Sequence, residues 1–113
     1  METPTIVCLC GSTRFVDAFE EHNLKETLKG NIVLSVGSHR KSDSELMITE
    51  EQKVGLDALH KKKIELCDEV LVLNVDGYVG SSTTSEICYA NKLNKKIRWL
   101  SNELQNSTSN STS

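Results

Sequence analysis

The residues best equipped for chemistry gather around Glu86, in the stretch DGYVGSSTTSEICYA that runs from Asp76 to Ala90. Two glycines, Gly77 and Gly80, lead into five consecutive hydroxyl residues, Ser81 to Ser85, and then the carboxylate. A glycine turn that opens a helix leaves backbone N–H groups free to meet an anion or a polyhydroxylated ligand. Gly80, Ser81 and Ser82 are the ligand-holding candidates of this turn. A carboxylate held beside a sugar can attack its anomeric carbon and form a covalent glycosyl intermediate. Taken by itself, Glu86 equally reads as a first-turn charge placed for the helix dipole. The hydroxyl run equally reads as a flexible loop with a cap.

Gly11-Ser12-Thr13-Arg14 supplies a turn, two hydroxyls and a guanidinium directly after an apolar run, a combination suited to phosphate. It has neither the length and lysine of a Walker P-loop nor the spacing of the dinucleotide fingerprint. A plain strand-to-helix turn with a capping hydroxyl accounts for it as well. His60 is the candidate proton donor to a leaving base, or else a hydrogen-bonded core histidine. Asp57, one helical turn earlier, is a weaker candidate. Asp76 can hold a ribose hydroxyl, although Asp-Gly is also a turn signal. Cys10 could act as a nucleophile, but the sequence places no partner beside it. Cys8-x-Cys10 is not a familiar zinc spacing, and His22, His39 and His60 are scattered. No metal and no cofactor is expected.

These groups need elements to position them. Thr5 to Cys10 reads as a buried strand, and an amphipathic helix follows from about Phe15 to Lys29, with Ser12 or Thr13 as its N-cap and Gly30-Asn31 as its stop. Ile32 to Val36 is the second strand. The polar segment 37–48 is long for a compact domain and reads as a lid or a tolerated surface loop. Thr49 with Gln52 forms a capping box for a helix that runs to about Cys67. Leu56, Leu59, Ile64 and Leu66 supply much of its apolar side, and His60 shares a stripe with Leu56 and Cys67. Val70 to Val75 is a third strand, Thr83 to Leu93 a helix stopped by Asn94, and Ile97 to Leu100 a fourth strand. Residues 101–113 are polar, with a near-repeat of Asn-Ser-Thr-Ser, and read as a disordered tail.

Strand and helix alternate throughout, so the expected fold is α/β: an open parallel sheet of about four to five strands with helices on both faces. Such sheets bind ligands beyond the carboxyl ends of their strands, where strand order reverses. The first and third strands flank that point. Their ends lead into Gly11–Arg14 and into the Glu86 stretch, so two motifs distant in sequence meet at one crevice.

The composition fits one globular domain over residues 1–100. Charged residues make up 26% of the chain, hydrophobic residues 37%, and the formal net charge is −3. No basic block stands out, which argues against nucleic-acid binding. Lys61-Lys62-Lys63 reads as a solvated helix face. No apolar run is long enough to span a membrane, and the first residues do not form a signal peptide. A cytoplasmic location is expected. The four cysteines, Cys8, Cys10, Cys67 and Cys88, read as reduced thiols in or near the core.

Three stretches together, CLCGSTRF, LHKKKIELCDEVLVLNV and YVGSSTTSEICYA, resemble the nucleoside 2-deoxyribosyltransferase superfamily, and within it the deoxynucleoside 5′-monophosphate N-hydrolases. The resemblance covers Ile6 to Leu100. It implies a Rossmann-like or flavodoxin-like fold and cleavage of an N-glycosidic bond, with the motif glutamate at Glu86 as nucleophile. It implies that Cys10, Gly11, Ser12 and Arg14 match the phosphate-binding segment, which points to hydrolysis rather than transfer. Gly80, Ser81 and Ser82 match the hydroxyl-bearing turn. A nucleoside or nucleotide is the expected small-molecule partner, and a homodimer or higher homo-oligomer the expected assembly. The chain departs from the family at three positions. His60 stands where the family carries an aspartate, Cys8 where it carries a tyrosine, and Gly80 where transferases have Asp and N-hydrolases Ser. A non-catalytic module that binds a nucleotide or an ADP-ribose-like ligand is the alternative, since a fold can be kept while its chemistry is lost.

Overall fold

The computed structural model describes residues 3–36 and 47–103. Most of the 37–48 segment and residues 104–113 of the tail lie outside the described residues. Four strands form one sheet: β1 (Ile6–Cys10), β2 (Ile32–Leu34), β3 (Glu69–Val72) and β4 (Lys96–Trp99), in the order β2-β1-β3-β4. All three pairings are parallel, with Cys8 opposite Leu34 on one side and Val70 on the other. The chain is an open α/β sheet of the flavodoxin-like order, and strand order reverses between β1 and β3.

Side chains alternate across each strand, so the two faces bury different residues. Helix α1 (Val16–Leu28) covers one face, where Phe19 packs with Val7, Leu9, Leu71 and Leu73. Helices α2 (Glu50–Leu66) and α3 (Ser81–Lys92) cover the other, where Ile64, Cys67 and Ala90 pack on Cys8, Cys10, Val70 and Val72. Burying a side chain the size of Phe19 is worth roughly 1.5–3 kcal/mol.

The helix ends follow local chemistry. Thr49 and Gln52 form the reciprocal capping box, with Gln52 N–H donating to Thr49 Oγ1 at 3.0 Å and Thr49 N–H to Gln52 Oε1 at 2.9 Å. After α1, Gly30 takes φ 90°, and the N–H groups of Gly30 and Asn31 return to Thr27 and Glu26 carbonyls. Asn94 does the same after α3 with φ 60°. Both are the paired C-terminal bonds that a left-handed residue permits.

Several expectations are corrected. Helix α1 starts at Val16, close to the expected Phe15, but neither Ser12 nor Thr13 is its N-cap. Phe15 precedes it without a side-chain cap, because Phe15 N–H first closes a turn on the Ser12 carbonyl at 3.0 Å. Helix α3 begins two residues before Thr83, at Ser81, so the hydroxyl run lies inside the helix. Strand β3 ends at Val72 because the chain then enters a short 3₁₀ turn, Val75–Gly77, in which Asp76 is left-handed with φ 53°. The ordered chain continues past Leu100. Residues 100–103 form a helical turn, and Asn74 fastens it through reciprocal bonds with Ser101 at 3.0 and 3.1 Å.

Candidate functional site

Beyond the carboxyl ends of β1 and β3 lies a cavity of about 310 Å³, at the small end of the range for small-molecule sites. The β1 end contributes Gly11, Ser12 and Thr13, helix α2 contributes Asp57 and His60, and the start of α3 contributes Gly80 to Thr83 and Glu86. Gly11 sits in a tight place: a Cβ there would be 3.2 Å from both Leu73 Cβ and the Leu73 carbonyl oxygen, so Leu73 would have to give way by a few tenths of an ångström. Gly80 is not confined in that sense. It holds the N-cap position with extended backbone (φ −78°, ψ 173°), and no side chain caps the helix.

Helix α2 carries His60 to the sheet, one turn before Ile64, and both are buried. Cys8 and Cys10 alternate with Leu9, so both thiols point to that same face. His60 Nε2 lies 3.3 Å from Cys10 Sγ, 3.8 Å from Cys8 Sγ and 3.7 Å from Glu86 Oε1. Among the described residues, the buried side-chain atoms that find no hydrogen-bond partner are Glu86 Oε1 and His60 Nδ1.

These contacts set the charges. Burial pushes the Glu86 carboxyl above its ordinary range, against the pull of His60. Burial opposes protonation of His60, but its hydrogen bond to Cys8 and the charges of Cys8 and Glu86 outweigh it and raise its pKa. The Cys8 thiol is pulled below the usual thiol range, mainly by the neighbouring Cys10 thiol, with His60 helping against burial. Cys10 is pushed the other way by Cys8 and by burial. Cys8 is thus the more readily ionised thiol of the pair, and His60 beside it is pushed toward its protonated form.

Two candidates fall outside the cavity lining. Asp76 is exposed in the 3₁₀ turn. Arg14 stacks its guanidinium 4.4 Å from the Tyr78 ring centre, and Tyr78 in turn lines the cavity. Arg14 therefore stands at the rim.

The sequence missed other wall residues. Lys53 and Lys63 both line the cavity. Lys63 is no solvated charge, since its Nζ donates to the Ser35 carbonyl at 2.6 Å. Leu56 and Leu59 are about half exposed, at 51% and 53%, because they face the cavity rather than the core. Leu66 is exposed outright, and Cys88 is exposed rather than a core thiol, as α3 turns its Thr83–Glu86–Ala90 side to the sheet. Cys8, Cys10 and His60 bring three potential metal-ligand atoms within 4.8 Å of one another, a cluster that the Cys-x-Cys spacing alone did not reveal.

Among the described residues, no helix is long and apolar enough to cross a membrane. Comparison with protein-family models finds no match, and comparison with curated proteins finds none.

Proposed function

We propose that the protein cleaves the N-glycosidic bond of a nucleoside or nucleoside 5′-monophosphate, with Glu86 as nucleophile and His60 as proton donor. The observation that carries this reading is the open oxygen of Glu86. A buried carboxylate oxygen without a donor stands in the wall of a cavity, 3.7 Å from a histidine nitrogen. Leaving such an atom unpaired is costly, so a purely structural glutamate would have been given a partner. The resemblance of the three sequence stretches to the nucleoside 2-deoxyribosyltransferase superfamily supports the same assignment.

In the first step a Glu86 oxygen bonds to the anomeric carbon. The carbon–nitrogen bond breaks, its electron pair stays on the base, and His60 supplies the proton the base needs. In the second step water attacks the anomeric carbon, its proton returns to His60, and Glu86 leaves as the carboxylate. Sugar and free base are the products. Burial raises the basicity of the Glu86 carboxylate, and the shift of His60 toward its protonated form favours its role as the acid. Ser12, Ser82 and the first-turn N–H groups of α3 are suited to phosphate or sugar oxygens, with Lys53 and Lys63 supplying positive charge. Arg14 reaches that phosphate only from the rim.

One observation favours a second reading, a nucleotide-binding module without turnover. His60 Nε2 is in contact with both thiols, so this nitrogen is engaged by sulfur and not held open for a leaving base. One experiment separates the two. Metal-free protein is incubated with deoxynucleoside 5′-monophosphates, and released base is measured by chromatography. The expected result is base release that Glu86→Gln lowers roughly thousandfold, about 4 kcal/mol of barrier. Equal rates in Glu86→Gln sink the mechanism, and saturable binding with no base released establishes the module.

We also place the reaction in the cytoplasm, on the cysteine usage, and in a homodimer or higher homo-oligomer. Val54 and Leu66, exposed on α2, are available to such an interface. Sedimentation of the purified chain tests the assembly.

A further inference from the structure

Two fully buried thiols stand behind the proposed nucleophile, and neither forms or breaks a bond in the glycosidic reaction. We propose that Cys8 Sγ, Cys10 Sγ and His60 Nε2, completed by Glu86 Oε1, form a site for one thiophilic divalent cation, Zn²⁺ in particular, and that the bound ion shuts the cavity's chemistry off.

The argument begins with the strand. Residues two apart on β1 present their side chains to the same face, so Cys8 and Cys10 make a pair of sulfurs fixed by the backbone. Helix α2 then lays His60 across them. The three ligand atoms all lie within 4.8 Å. A tetrahedral zinc with sulfur at about 2.3 Å and nitrogen at about 2.0–2.1 Å has sulfur–nitrogen edges of about 3.5 Å. The two edges here are 3.3 and 3.8 Å, one on either side of that value. The site is therefore close to formed before the ion arrives.

The fourth vertex comes from an independent observation. Glu86 Oε1 is buried, lacks a hydrogen-bond partner and lies 3.7 Å from the same His60 nitrogen. The atoms within 4.8 Å of one another are those of Cys8, Cys10 and His60 alone, so Glu86 becomes the fourth ligand by a small shift of its side chain toward the ion. Cys67, the remaining buried thiol, is committed elsewhere, donating to the Ile64 carbonyl at 3.0 Å. Two sulfurs, an imidazole and one carboxylate form a set that selects zinc over magnesium or calcium, which prefer oxygen. An ion can arrive through the cavity, since His60 and Glu86 both line it.

Binding needs only these four side chains. The silencing rests on the proposed glycosidic reaction, because the ion would take the Glu86 oxygen and the His60 nitrogen that the reaction uses.

The test uses the full chain carrying Cys88→Ser, which removes the exposed thiol. Co²⁺ serves as the spectroscopic probe, and Zn²⁺ affinity is read by competition with a chromophoric chelator. The expected result is one Co²⁺ per chain, with tetrahedral d–d bands and a thiolate-to-cobalt charge-transfer band, both removed by Zn²⁺. Cys8→Ser and Cys10→Ser should each weaken Zn²⁺ by more than about tenfold, a loss that even outer-shell changes reach. A cobalt spectrum without the thiolate band overturns the site. So does unchanged Zn²⁺ affinity in serine variants that melt like the parent. If those variants do not fold, the parent's cobalt spectrum still decides. Base release that stops on adding Zn²⁺ and returns with a chelator supports the silencing, and release that continues at saturating Zn²⁺ overturns it. Absence of base release from the metal-free protein removes the glycosidic reading and the silencing with it, while the cobalt spectrum decides the site.

Discussion

Glu26 and Glu86 are both buried, 1% and 8% exposed, on opposite faces of one sheet. Their surroundings could hardly differ more. On the α1 face, Arg98 grips Glu26 with two parallel bonds of 2.8 and 3.1 Å, and Lys29 and Asn31 each add another at 3.0 Å. Arg98 also bonds Glu69 and Glu103, so its fork is filled too. The Arg98 guanidinium holds the Glu26 carboxyl down at about 2, against an opposing push from burial. On the α2–α3 face, burial wins, and Glu86 is pushed up with one oxygen open. One residue type thus has two fates. Where donors fill every lone pair, a buried carboxylate ties elements together. Where a lone pair is left open beside a cavity, the carboxylate is left available to a ligand, as the proposed function requires.

The comparison can be broken at Glu26 first, where the effect on stability is largest. Glu26→Ala takes the main partner from the half-buried Arg98, which keeps Glu69 and Glu103, and leaves a gap at a fully buried site, together costing roughly 3–4 kcal/mol. Denaturant unfolding followed by circular dichroism should show the midpoint fall by that amount, and a loss under about 1 kcal/mol would demote the network to decoration.

The next effect is acid sensitivity. The folded Glu26 carboxyl sits at about 2, below the ordinary 4.5, so its contribution is complete above 4.5. It drains away as pH falls from 4.5 toward 2, by roughly 3 kcal/mol in all. Stability measured across that window should drop in the parent and stay flatter in Glu26→Gln. Equal slopes in the two proteins would contradict the assignment.

The smallest effect sharpens the contrast. Glu86→Gln removes a buried carboxylate that has one oxygen without a hydrogen bond and only a 3.7 Å contact with His60, so in chelated, metal-free protein at neutral pH it should leave stability unchanged or raise it by about 1 kcal/mol. The same conservative change at Glu26 must destabilise. Thermal melts of the two variants side by side read the difference, and a Glu86→Gln protein as weakened as Glu26→Gln would erase the distinction between the faces.

Local chemistry was legible in the sequence. Thr49 and Gln52 read as a capping box because both halves of that device lie within one helical turn. Gly30 and Asn94 read as stops because only left-handed backbone ends a helix that way. The alternation of strand and helix gave a parallel sheet, and Glu86 and Gly11 were placed at one crevice by the strand-order rule alone. The errors came where a residue's partner is remote or its direction matters. Ser12 looked like a cap, but the chain first turns on its carbonyl. Lys63 looked solvated, but it spans from α2 to Ser35 after β2. Leu56 and Leu59 looked like core because a stripe of leucines does not say whether it faces a sheet or a cavity.

By itself, then, the sequence determined the elements, their order and the two motifs that meet beyond β1 and β3. These follow from periodicity and turn chemistry, which act over a few residues. Tertiary structure alone decided what stands around Glu86. Parallel pairing of β1 with β3 and the laying of α2 across them set His60 against Cys8 and Cys10, while Arg98 went to Glu26 on the far face. Which carboxylate is satisfied and which is left open depends on donors brought from distant parts of the chain, and no short-range pattern encodes that.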